Sequence, residues 1–229
     1  MRVVQQYKGR LSPAHAANGM NAAIANAKRL ADDAKLLLGA GRYPSASSLA
    51  ILSLEEQGKS AILRGLVAAN SEAAVQEAWQ QYRRHTEKNY LALLPDRIRK
   101  GVSQLHELSD LFSQSTEAER TTFDAIKQLG FYSDCCGDAH WSVPSEVVDK
   151  KLATLLVSLA GALSESNEPV SAEELELWRS HMSSGMTREN LLRWCDAMVA
   201  AGLKKLNYAE EMRRFTSTRS GTIDELPIV

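Results

Sequence analysis

Cysteine is scarce in this chain, with three in 229 residues. An odd, sparse set excludes a disulfide-stapled scaffold and suits a reducing cytosol. Cys135 and Cys136, with Asp138 and His140, make a poor zinc set, because adjacent cysteines fit one tetrahedral ion badly and no second cysteine pair follows. Glu-x-x-His, the repeat a di-iron bundle needs, is absent altogether. No metal and no cofactor is expected. An excess of either charge is also missing: 27 Lys and Arg face 28 Asp and Glu. No whole-chain field therefore draws the protein to nucleic acid or to an acidic membrane. The longest apolar run, Leu152 to Leu163, is too short to span a bilayer, so no membrane partner is expected. The opening MRVVQQYKGR turns polar within a few residues, which argues against a signal-peptide core and for a cytoplasmic location. Walker loops, nucleophile elbows and dinucleotide glycine motifs are not found.

What is present is almost entirely helical pattern. A first helix is expected from about His15 to Leu38, stopped by Gly39-Ala40-Gly41, and a second from Arg42-Tyr43-Pro44 to near Asn70. Ser71 can cap a third, running from Glu72 to about Leu94 before Pro95, and a fourth follows from Asp96 to about Phe112. Thr116 with Glu119 makes a capping-box pattern for a fifth, ending at Gly130. The stretch FYSDCCGDAHWSVP reads as an irregular loop, with any extended piece at Phe131-Tyr132, and Val143-Pro144 opens a sixth helix through about Leu163. Ser164 to Ser171 has the composition of a linker. Beyond it Ser171 with Glu174 caps one helix, and Thr187 caps another that ends near Gly202.

The second helix carries charge where it should be apolar. On a wheel of about 100° per residue, Leu49, Ile51, Leu52, Ile62, Leu63, Leu66 and Val67 gather on one side. Glu55, Glu56 and Lys59 fall inside that stripe, while Ser53, Gln57, Ser60 and Arg64 take the opposite, solvated side. Buried charge is costly unless it is paired or used. In the first helix Asn26 and Asp33 lie on the face marked by Leu30 and Leu37. In the third, His85 and Asn89 sit at the margin of the stripe and Lys88 points further out. Packed together, these helices would join Asn26, Asp33, Glu55, Glu56, Lys59 and His85 in one internal network. Glu55 and Lys59, spaced i,i+4, can also pair within their own helix. A carboxylate pair beside a histidine suits either acid–base work or a satisfied structural frame. Tyr132 and Trp141 suit stacking on a nucleotide base or plugging the end of a bundle. Arg83, Arg84 and Lys88, with Arg97, Arg99 and Lys100, form the densest basic region, fit for phosphates or for a solvated outer face.

A family resemblance rests on these residues. Asn26-Ala27-x-x-Leu30-x-x-Asp33-Ala34, then Arg42-Tyr43 and Ala46, then Glu55-Glu56-x-Gly58-Lys59 resembles the AbiV group of abortive-infection proteins. His85-x-x-Lys88 fits as well, and Phe131-Tyr132-x-Asp134 followed by Trp141-x-x-Pro144 is similar to the group's aromatic segment. The likeness runs from about Asn18 to Leu163. It implies an all-α fold, an HEPN-like antiparallel helical bundle that often dimerises, and a part in stopping phage growth through translation. The chain then divides into a bundle over 1–165, a helical C-terminal extension over 166–215 and a disordered tail over 216–229.

Two readings of function follow from the resemblance. In one the protein, as a homodimer, binds a phage product or the translation machinery, with Asn26, Asp33, Lys88, Tyr132 and Trp141 as contact residues. In the other it is a metal-independent endoribonuclease acting on RNA. Glu55, Glu56, Lys59 and His85 would then carry the chemistry, with His85 or His106 as base and Lys59 or Arg99 as the cation facing the phosphorane. Catalytic HEPN ribonucleases carry an arginine followed by a histidine after four to six residues. Arg99 and His106 fit that spacing, but Lys100 and Gly101 after the arginine match the usual pattern poorly, and 16 arginines with 5 histidines yield roughly one such pair by chance. The binding reading is the better supported of the two.

Overall fold

A computed structural model describes residues 6–84, 117–136, 139–165 and 167–216. Helix α1 spans Pro13–Gly39. Ser12 caps its start, accepting from the His15 amide at 3.2 Å, and Pro13 takes the first helical position, where its missing N–H costs nothing. Gly41, at φ 71°, ends the helix in the left-handed region, and Arg42 N donates back to the Leu37 carbonyl at 2.9 Å. The chain thereby reverses into α2, Tyr43–Ala68. Ser53 Oγ donates to the Ala27 carbonyl at 2.7 Å, and a Cβ on Gly19 would lie 3.5 Å from Leu63. These two levels fix α1 and α2 as antiparallel neighbours. Alanines at 16, 23, 27, 31, 34, 46 and 50 are buried and let the backbones approach closely.

Helix α3, Glu72–Arg83, begins at Ser71, whose side chain accepts from Ala74 N, as the sequence predicts. It stops at Arg83 with Arg84 extended, short of the expected Leu94. The rest of that expected helix and the one from Asp96 to Phe112 lie outside the described residues, as do His85, Lys88, Arg99 and His106. Helix α4, Glu117–Phe131, crosses the start of α2. A Cβ on Gly130 would lie 2.9 Å from the Pro44 carbonyl and would also strike Ser48 Oγ, which itself donates to the Lys127 carbonyl at 3.2 Å. Gly130→Ala should therefore push α4 off α2 and cost about 1–3 kcal/mol, an overpacking penalty readable in urea unfolding. An unchanged midpoint would mean the crossing has room.

The expected irregular loop contains a hairpin instead. Strands β1, Asp134–Cys136, and β2, His140–Ser142, pair antiparallel with Cys135 opposite Trp141. Ser142 Oγ accepts from Asp134 N and donates to its carbonyl, both at 3.2 Å, so one buried hydroxyl closes the open end. The extended segment thus begins at Asp134, because α4 continues through Phe131. The expected sixth helix is two: α5, Pro144–Val147, and α6, Lys150–Glu165, divided where the Asp149 side chain accepts from Leu152 N at 2.8 Å.

Helices α7, Ala172–Met182, α8, Arg188–Ala200, and α9, Tyr208–Phe215, complete the described chain. Ser171 and Thr187 cap α7 and α8 as expected, and Gly202, at φ 71°, follows the end of α8. The stretch read as a linker is pinned: Asn21 of α1 binds both the carbonyl and the amide of Val170, at 2.9 and 2.8 Å. The described residues form two cores. One joins the second half of α1 and the first half of α2 to α6, around Ile51, Leu54, Leu156 and Leu163. The other joins the opposite ends of α1 and α2 to α3 and to α7–α9, around Met20, Leu63, Leu66, Val75, Leu175, Trp178, Trp194 and Met198. The fold is all-α apart from the small hairpin, and α2 runs through both cores.

Cys195 sits inside the second core, where burial pushes its thiol up to about 11 and the adjoining Tyr208 hydroxyl up to about 12. Cys135 is exposed on β1. Alkylation near neutral pH, followed by mass spectrometry, should modify Cys135 and leave Cys195 unmodified until the fold opens. Equal rates at the two positions would contradict this packing.

Candidate functional site

The three charges in the apolar stripe of α2, Glu55, Glu56 and Lys59, are divided between two separate pairs. Glu55, 3% exposed, accepts from Lys127 Nζ of α4 at 2.7 Å. Asp124, one turn before Lys127, lies 2.8 Å from the same ammonium and reaches toward solvent. Burial pulls the lysine down, but the hydrogen bonds to Asp124 and Glu55 and their charges outweigh it and hold Lys127 above the ordinary lysine value. Lys127 is therefore a cation that helps make a buried Glu55 tolerable. It escapes a reading confined to α2 because it comes from a helix 72 residues away in sequence. The available signal was a lone lysine on the apolar side of α4, beside Ile126 and Gly130.

The second pair is Glu56 and Lys59, i,i+3 on α2, at 2.6 Å and half-buried. The expected Glu55–Lys59 pair is thus replaced by two others, because Glu55 turns toward α4 while Lys59 turns toward α3. The Lys59 ammonium also stands 5.4 Å from the Tyr82 ring centroid.

Asn26 and Asp33 do not enter this network. Both accept from Arg29 of their own helix, Asn26 at 2.9 and 3.2 Å and Asp33 at 2.9 Å, on a face open to solvent. Arg29, between them on the same surface, captures both side chains. The wheel also misplaces Ser53, Gln57 and Arg64. Ser53 and Gln57 are buried, Ser53 on the Ala27 carbonyl and Gln57 on the Ala160 carbonyl of α6. Arg64 is bonded to Glu174 of α7 and covers the rings of Trp178 and Trp194 at 5.3 and 5.9 Å. A helix packed by α1, α3, α4, α6 and α7 has little solvated side to offer.

Tyr132 and Trp141 do not plug the bundle. They are 62% and 64% exposed, with Phe131 beside Tyr132 and Val143 and Val147 also open to solvent. This end of the molecule is an exposed aromatic face carried by α4, β2 and α5.

Arg10 and His15, with four residues between them, are a second pair within the four-to-six-residue Arg/His spacing, one the sequence reading missed. Both residues are used structurally. Arg10 donates to Glu72 at 2.9 Å and to the Ala69 carbonyl at 2.7 Å, while His15 Nδ1 lies 3.0 Å from the Ser12 hydroxyl. Among the described residues no group of three or more His, Cys, Asp or Glu is placed to hold a metal ion, and no helix is long and apolar enough to cross a membrane.

An antiparallel helical bundle with a buried ion pair between α2 and α4 and an exposed aromatic face is the class these observations define. The family model HEPN_AbiV, described as AbiV, matches residues 15–165. The chain belongs to the AbiV family, which implies a part in abortive infection, the arrest of phage growth. No curated protein and no solved structure matches it.

Proposed function

We propose that the protein stops phage growth by binding, to a phage product or to a component of the translation machinery, and so blocks protein synthesis without cutting RNA. The observation that carries this reading is the exposed aromatic face of Phe131, Tyr132 and Trp141. Large solvent-facing aromatics are costly to leave uncovered and are the usual anchors of protein interfaces. The charges of α2 add support: Glu55 is spent on Lys127 and Glu56 on Lys59, which suits a frame that fixes helix register. In this reading the protein works in the cytoplasm as a homodimer, and a monomer by light scattering would remove that element.

The test is carried out in phage-infected bacteria expressing the wild type, Trp141→Ala, Tyr132→Ala or His106→Ala. Protein synthesis is followed by pulse labelling, and the 5′ ends of tRNA, rRNA and mRNA are mapped. Halted synthesis with intact RNA, relieved by the two aromatic variants, is the expected result. New RNA ends in wild type that vanish in folded His106→Ala would overturn it in favour of the ribonuclease, with RNA as substrate.

A further inference from the structure

A cavity remains beside α3 that neither the ion pairs nor the aromatic face accounts for. It is lined by Gln6 and Tyr7 of the segment before α1, Lys59 of α2, and Trp79, Tyr82 and Arg83 of α3. Its volume is about 320 Å³, at the lower end of the range typical of small-molecule sites. Among the described residues lining it, three are aromatic and both charged ones are cations.

The walls are held in place from within the protein. Trp79 Nε1 donates to the Gly9 carbonyl at 2.9 Å, and the Tyr7 hydroxyl donates to the Arg10 carbonyl at 2.8 Å. The Tyr7 and Trp79 rings meet edge to face at 6.1 Å, and those of Trp79 and Tyr82 at 5.4 Å. Lys59 is steadied by Glu56 and by the face of Tyr82. Arg83 donates Nε to the Trp79 carbonyl at 2.8 Å, and its terminal nitrogens meet no acceptor among the described residues. Rings fixed in this way offer stacking area at little entropic cost.

The charge pattern selects the occupant. An aromatic cage without cations would suit an ammonium ligand, but here Lys59 already lies against Tyr82 and Arg83 would repel a second cation. A flat ring suits Trp79 and Tyr82, and an anionic group attached to it suits the lysine and the open fork of the arginine. We propose that this cavity binds one small aromatic anion, a planar ring carrying a phosphate or a carboxylate, with Lys59 and Arg83 as its charge partners. The proposal is independent of how phage growth is stopped.

The test is calorimetric titration of the full chain, with tryptophan fluorescence alongside. The phosphate-bearing probes are AMP and UMP, the carboxylate-bearing probe is indole-3-acetate, and adenosine and inorganic phosphate are the controls. At least one aromatic anion should bind with a Kd below about 1 mM, and both controls should bind at least about tenfold more weakly. Lys59→Met, Tyr82→Leu and the exposed Arg83→Gln should each weaken binding by about tenfold or more with the melting transition retained. Arg83→Gln keeps the test valid if either of the others fails to fold. No heat or quenching with any of the three aromatic anions would overturn the proposal. So would adenosine or phosphate binding as tightly as AMP, or affinity unchanged in folded Arg83→Gln.

Discussion

Replacing Lys127 by methionine should cost the fold about 3–5 kcal/mol, the loss expected when one partner of a buried ion pair is removed. Lys127 is 5% exposed and Glu55 3%, so water cannot take over the role of the missing ammonium. The remaining Glu55 carboxylate would sit between α2 and α4 without the Lys127 ammonium, and Asp124 would add a second negative charge nearby. Urea unfolding of the two proteins measures the difference. A loss under about 1 kcal/mol would put the pair in the class of exposed salt bridges and contradict its burial. Pairing the change with Glu55→Leu removes both charges, and buried pairs replaced by apolar groups are often near neutral. The double variant should therefore recover much of the loss. The pH dependence follows from the direction of the shift. The folded value of Lys127 is raised above the unfolded 10.5, so its contribution is complete below that pH and fades as pH climbs through the folded value. The gap between wild type and Lys127→Met should hold constant from pH 7 to about 10 and close only in stronger alkali. A gap that closes near neutrality would assign the stabilisation to another group.

Local chemistry was legible in the sequence and long-range partnership was not. The caps at Ser71, Ser171 and Thr187 and the stop after Gly39 need only residues within one helical turn, and each stands where the sequence places it. The conflict at Glu55, Glu56 and Lys59 was legible too, because charge in an apolar stripe is visible on any wheel. Its resolution was not. Lys127 arrives from α4, and no periodicity within α2 encodes it. The wheel also assumes one wet face per helix. For a helix packed on several sides that assumption fails, and short polar residues such as Ser53 become bonds to neighbouring backbones. Arg64 misleads for the same reason. Its nitrogen Nη1 is buried without an acceptor, a position that makes sense only beside the indole faces of Trp178 and Trp194. On α1 the error runs the other way: Asn26 and Asp33 sit near an apolar stripe, yet Arg29 gathers them at the surface.

Trp178→Ala should destabilise the whole protein by about 3–5 kcal/mol, the usual cost of truncating a buried aromatic, and not loosen the C-terminal helices alone. The argument lies in what the ring joins. Its Nε1 donates to the Arg64 carbonyl at 3.0 Å, its face carries the Arg64 guanidinium, and its ring lies perpendicular to that of Trp194 with centroids 5.1 Å apart. Arg64 in turn bonds Glu174, so removing the indole loosens a charge pair as well as an apolar contact. The same core holds Ala16, Met20, Leu63 and Leu66 from the first two helices together with Leu175, Met182 and Met198 from α7 and α8. The family match ends at residue 165, but this core does not. Cutting the chain there would open one side of α1 and α2 to water, with Met20 and Leu66, at 1% and 3% exposure, among the residues uncovered. The expected outcome for Trp178→Ala is a single cooperative transition, shifted to lower denaturant, with α1–α3 and α7–α9 losing amide protection together in hydrogen exchange. Two separate transitions, with the α1–α3 region unfolding at the wild-type midpoint, would instead make the segment after residue 165 an independent unit docked on a self-sufficient bundle.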